Sequence, residues 1–203
     1  MNNTTKIKLL IITPSLQCGG SEKFVSLLCN HINTQLFSVC LVVVNNARPF
    51  YTITNPDVEI VDLEKNRVLF SLSSIKTIVK KFSPDIIFST ANHLNLYLAI
   101  FRNSFNKKIK FVAREASIVS INSRQAKIPL VYNRLIKKYY NRFDRIICQS
   151  VYMQQDLVNL YNIPADKTIV IHNATAEVLS KTVLPARQDG QRVYKLLTVA
   201  RLS

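Results

Sequence analysis

Glycine is scarce: three residues in 203, well under the roughly 7% of an average protein. With so few, neither G-x-G-x-x-G nor G-x-x-x-x-G-K-[ST] occurs, which disfavours a nicotinamide dinucleotide site and removes the P-loop NTPases. No apolar run reaches the roughly 18–20 residues that span a bilayer, so an integral membrane protein is excluded at this level. The four cysteines (Cys18, Cys29, Cys40, Cys148) lie far apart with no C-x-x-C pair. That spacing argues against a zinc site or a disulfide framework and for reduced thiols. Acidic residues are few as well, 12 Asp and Glu against 27 Lys and Arg, a net charge of +15. An excess of that size calls for an anionic partner: nucleic acid, anionic lipid or a phosphorylated substrate.

What is present is apolar, 48% of the chain, enough for a packed core and against disorder. Lys6 and Lys8 precede Leu9-Leu10-Ile11-Ile12, but that stretch is too short for a secretory signal and Pro14 ends it. Leu16-Gln17-Cys18 is a poor lipoprotein site, because Gln17 is too large. A cytoplasmic location is expected.

Short apolar runs alternate with helical periodicity. Strands are expected at residues 7–12, 37–44, 58–61, 85–88, 109–113, 145–149 and 168–172, each rich in Ile, Val or Leu. Helices are expected between them: one from Ser21 as N-cap, then 71–82, 93–104, 129–142 opened by Pro129, and 152–161. This alternation predicts an α/β fold, a Rossmann-like, doubly wound parallel sheet with helices on both faces. Residues 174–192 are polar and aperiodic and read as a linker. The apolar run Tyr194–Ala200 beyond them reads as the first strand of a second domain, dividing the chain into 1–173, 174–192 and 193–203.

Gly19 and Gly20 stand together in the first strand-to-helix turn. Free N–H groups at the helix start suit a phosphate there, and a tight turn without a ligand is the alternative. Glu22 would repel a phosphate lying too close.

Several segments, taken in order, resemble the family 4 (group 1) retaining glycosyltransferases of the GT-B fold. Gly19-Gly20-Ser21-Glu22-Lys23 is similar to that family's G-G-[AS]-E-[KR] turn, and Pro84-Asp85-Ile86-Ile87 to its P-D-[IV]-[IV] strand. Val112-Ala113-Arg114-Glu115 resembles a strand end reading [ST]-[ER]-[EHR] in relatives. The segment Asp144 to Ser150 (DRIICQS), then Ile163-Pro164 and Val170-Ile171-His172-Asn173, resembles the motifs closing the N-terminal half, and Leu196 to Leu202 (LLTVARL) the opening of the C-terminal half. The resemblance implies transfer of a sugar from a nucleotide-sugar donor to a glycan or lipid-linked acceptor, with retention and with neither a metal nor a cofactor. It implies too that this chain is the acceptor-side domain, that donor contacts lie mainly in a missing C-terminal domain, and that the piece alone is inactive.

Under that reading Glu115 and His93 are the candidate catalytic residues, and Gly19, Gly20, Arg114 and Asn173 the candidate substrate-binding ones. Each has a structural alternative: a salt bridge for the Arg114–Glu115 pair, a satisfied imidazole at a helix start for His93, a cap on the linker for Asn173. Relatives often carry a His near the end of the Arg114 strand, and this sequence has none there.

Residues 105–145 hold eleven Lys and Arg against Glu115 and Asp144. In the helix from Pro129, Arg134, Lys137, Lys138 and Arg142 fall within an arc of roughly 140°, with Tyr132, Leu135, Ile136, Tyr139 and Tyr140 on the other side. The four cations are expected to face an anionic membrane surface, making the protein peripheral at the inner face of the cytoplasmic membrane; together with that location, the family resemblance implies an enzyme of capsule or lipopolysaccharide assembly. The alternative is a basic nucleic-acid-binding or non-catalytic Rossmann-like module. No zinc finger, RNP signature or helix-turn-helix pattern supports a nucleic acid partner.

Overall fold

The computed structural model describes residues 5–173; the expected linker and the strand at Tyr194–Ala200 lie outside them. Seven strands form one parallel sheet: β1 (Ile7–Thr13), β2 (Phe37–Val43), β3 (Val58–Asp62), β4 (Ile86–Thr90), β5 (Lys110–Arg114), β6 (Arg145–Cys148) and β7 (Thr168–Val170). Their order is β3-β2-β1-β4-β5-β6-β7. The helices are α1 (Gly20–His31), α2 (Leu72–Phe82), α3 (Asn92–Phe101), α4 (Val119–Arg124), α5 (Pro129–Tyr139) and α6 (Val151–Tyr161). The expected α/β sheet is present, Rossmann-like and parallel throughout.

The unbroken apolar runs are explained by burial on both faces. Along β1, Leu10 and Ile12 enter the larger core cluster, while Leu9 and Ile11 enter a second cluster on the opposite face. The cover is uneven. The larger cluster receives residues of α2, α3, α5 and α6; the smaller receives Phe24, Val25, Leu28 and Cys29 of α1. Cys29, Cys40 and Cys148 are buried thiols whose pKa burial pushes up to about 12, so they act as small apolar residues.

Local signals set most helix ends. Ser150 caps α6 by accepting from the Met153 N–H at 3.3 Å, Pro129 occupies the first turn of α5, and Ser83 and Asn162 close α2 and α6 in the left-handed conformation. Four expectations need correction. The N-cap of α1 is Gly19, not Ser21, because the helix begins at Gly20. The helix expected over 93–104 tightens into a 3₁₀ turn at Arg102–Ser104, and the one over 129–142 does the same at Tyr140–Arg142. α4 was not expected; its six residues are too short and polar to show a period.

Candidate functional site at the switch point

Strand order reverses between β1 and β4, and in open parallel sheets ligands bind beyond the carboxyl ends at such a point. Here β4 leaves the sheet through Ala91, whose φ of 83° and ψ of 124° are costly for a residue with a Cβ. That turn swings Asn92 and His93 into the crevice. Two cavities open there. The smaller, about 420 Å³, is lined by neutral hydrogen-bonding groups from Ser21, Asn92, Ser117, Asn122 and Gln125. The larger, about 700 Å³, has apolar walls from Val68, Leu69, Tyr97 and Tyr132, with Lys65, Arg67 and Lys127 among its lining residues. His93 and Tyr132 line both. Partial desolvation lowers the His93 pKa, with the Glu22 carboxylate opposing, so the imidazole is neutral at pH 7 and suited to bonding a hydroxyl.

The glycine turn borders the smaller cavity through Ser21. Neither glycine has a positive φ. A Cβ at Gly19 would stand 2.2 Å from Glu22 Oε2, the end of a flexible side chain that could swing aside. The carboxylate thus folds back over the start of α1 and occupies ground on which an anion would meet the backbone. Gly20 is open, with nothing within 4 Å of a Cβ position.

Beneath the crevice, the end of β5 carries a buried polar node. Glu115 is fully buried, and its Oε1 accepts from Asn95 Nδ2 at 2.8 Å and from the Tyr140 hydroxyl at 3.0 Å. Burial pushes its pKa up to about 7 against the lowering pull of both bonds and of Arg114. Fully enclosed, Glu115 has no surface from which to touch a substrate, and its observed contacts are those of a positioning residue. Arg114, 2% exposed, forms no ion pair with Glu115; its guanidinium lies over the Phe24 ring of α1 at 3.9 Å and its Nη2 donates to Asn173 Oδ1. Asn173 in turn donates to Gln149 Oε1 at 2.7 Å, and Gln149 donates to the Glu115 carbonyl. Four buried polar atoms at these strand ends have no hydrogen-bond partner among the described residues: Thr90 Oγ1, Asn92 Nδ2, Arg114 Nη1 and Glu115 Oε2. Such orphans cost about 1–3 kcal/mol each, and a bound water, an ion or a functional role can account for them.

Gly19, Gly20, His93, Arg114 and Asn173 are therefore gathered at one edge, with Glu115 behind them. Of the four residues expected to face a membrane, Arg134, Lys137 and Lys138 are exposed on α5. Arg142 is the exception. Its guanidinium donates to the carbonyls of Ala99 (3.3 Å) and Ile100 (2.8 Å) at the end of α3 and packs on Tyr139, because free carbonyls at a helix C-terminus attract a cation. Asn95, Tyr140, Phe24 and Gln149 were not foreseen as site residues. Asn95 interrupts an otherwise apolar helix face, a signal that was readable; Tyr140 reads simply as core. Among the described residues, no group of three His, Cys, Asp or Glu converges to hold a metal.

The fold recurs in solved structures of low identity. Anabaena HepE in complex with UDP superposes with a TM-score of 0.60 at 18% identity, over 83% of this chain and 44% of that one. Sucrose-phosphate synthase from Thermosynechococcus elongatus gives 0.64 at 13%, over 84% and 49%. The UDP-N-acetylglucosamine 2-epimerase from Rickettsia bellii gives 0.57 at 16%, over 83% and 45%. The chain thus spans less than half the length of these structures. No curated protein matches it. At such identities the likeness establishes a GT-B-type fold, shared by a synthase and an epimerase alike. The assignment comes from the sequence: the family model described as Glycosyltransferase Family 4 matches residues 18–176, most of the chain, and the chain belongs to that family.

Proposed function

We propose that this chain is the acceptor-side half of a metal-independent glycosyltransferase that moves a sugar, with retention, from a nucleotide-sugar donor to a glycan or lipid-linked acceptor. The reaction belongs to cell-surface polysaccharide assembly, at the inner face of the cytoplasmic membrane. The carrying observation is the neutral, amide- and hydroxyl-lined cavity at the switch point between β1 and β4. Its groups match sugar hydroxyls, which offer donors and acceptors but no charge. Structures of HepE with UDP, with UDP and glucose, and with UDP-glucose favour a uridine diphosphate sugar as donor.

In this reading neutral His93 bonds a sugar hydroxyl and the open Gly20 backbone meets the donor side, while buried Arg114, stacked on Phe24 and bonded to Asn173, shapes the strand end beside them. Glu115, Asn95 and Tyr140 hold the end of β5 in place. The test is sugar transfer by the full-length protein from a panel of UDP-sugars to a membrane extract. Transfer with retained anomeric configuration, unaffected by EDTA, is the expected result. Inversion, or dependence on an added divalent ion, would refute it.

A further inference from the structure

Resting on the acceptor-side reading, we propose that the larger cavity seats a phosphate carried on an apolar chain, a lipid phosphate drawn from an anionic leaflet. Lys65 and Arg67, from the connection after β3, and Lys127, from the loop before α5, line the same cavity of about 700 Å³. None of the three side chains is engaged in a hydrogen bond or ion pair among the described residues; the single ion pair there is Lys110–Asp144. Three unpaired cations beside low-dielectric walls concentrate a field suited to a multiply charged anion. The walls themselves are apolar, from Leu69, Tyr97 and Tyr132. A neutral sugar would leave the cations unmatched, and a bare phosphate would leave the walls wet. An amphiphile satisfies both.

The surroundings continue the pattern. Leu69 is 67% exposed, Phe70 64%, Ile128 62% and Leu130 84%, all within three residues of a cavity cation. Exposed apolar side chains interleaved with cations fit a membrane interface, where the one set enters the acyl boundary and the other meets anionic headgroups. Arg134, Lys137 and Lys138 extend the basic flank along α5. The smaller cavity next door has no such cations, so the two divide the labour: hydroxyls in one, phosphate and chain in the other.

The experiment is calorimetric titration of the full chain with soluble farnesyl phosphate, farnesol and inorganic phosphate, beside sedimentation with phosphatidylglycerol or phosphatidylcholine vesicles. Farnesyl phosphate should bind at least about 10-fold more tightly than farnesol or inorganic phosphate, and Lys65→Ala/Arg67→Ala/Lys127→Ala should lower its affinity by about 10-fold or more. Leu69→Ser/Leu130→Ser should reduce sedimentation with phosphatidylglycerol vesicles several-fold. All five positions are at the surface or cavity rim, and an unchanged melting temperature checks that the variants fold; should the triple variant unfold, Arg67→Gln alone must still weaken farnesyl phosphate binding. Equal affinity for inorganic phosphate, no binding at all, or binding indifferent to the cation variants would overturn the proposal. No donor or turnover enters the readout. Failure here leaves transfer to a soluble glycan standing, whereas binding by a protein that transfers no sugar would sink the transferase reading and keep the site.

Discussion

The ends of β1 and β5 each bring a carboxylate to the same edge of the sheet, and the two are treated in opposite ways. After β1, Glu22 lies over Gly19 at the partly exposed start of a helix, with open space beside it at Gly20. After β5, Glu115 is enclosed, bonded to Asn95 and Tyr140, and pushed to a pKa of about 7. The first arrangement can yield to a ligand by moving a flexible side chain. The second cannot move without breaking the core. One strand end is built to adapt, the other to hold.

Removing the Tyr140 side chain should break this contrast most severely. Tyr140 is fully buried, packs edge-on to Phe143 at 5.7 Å and bonds Glu115; Tyr140→Ala should cost about 3–5 kcal/mol in urea unfolding. Next comes the pH dependence of Glu115. Its pKa rises from 4.5 to about 7 on folding, so its contribution is fully present below about 4.5 and is lost as pH climbs through about 7. Glu115→Gln keeps an acceptor for both donors and cannot ionise. Relative to that variant, the native chain should lose on the order of 3 kcal/mol between pH 4.5 and 8, read from unfolding midpoints at each pH.

Smaller effects sharpen the adaptable side. Ala91→Gly removes the Cβ that makes φ 83° costly and should raise stability by about 1 kcal/mol, strain relief outweighing glycine's entropy. Gly20→Ala meets nothing within 4 Å and should change stability by less than about 1 kcal/mol, in the stabilising direction. A large loss of thermal stability in that variant would show the turn to be as constrained as the β5 end.

The same contrast explains what was readable beforehand. The strands announced themselves because burial on both faces demands unbroken runs such as Leu9–Ile12 and Cys40–Val44, and the glycine pair stood out in a glycine-poor chain. The node at Glu115 depends on Asn95, 20 residues before it, and Tyr140, 25 residues after. No local pattern ties those three together; only the crossover of α3 and the return of the chain to β6 do. Arg142 departs from the expected membrane-facing set for a similar reason, since its place on a helical arc says nothing of the carbonyls of Ala99 and Ile100 beyond it. The conspicuous motif was thus the pliant one, and the rigid one was assembled from scattered residues.

The order of the strands has a last consequence, for the sequence in which the fold comes apart. β1 is laddered on both sides, to β2 and to β4, and its Leu10, Ile11 and Ile12 have no exposed surface. Among the described residues β3 and β7 are flanked on one side only, and Ile60 and Ile169 stand partly in solvent. Amide protons at the two rims should therefore trade with deuterium long before those of the middle ladder, whose release awaits dissolution of the whole sheet.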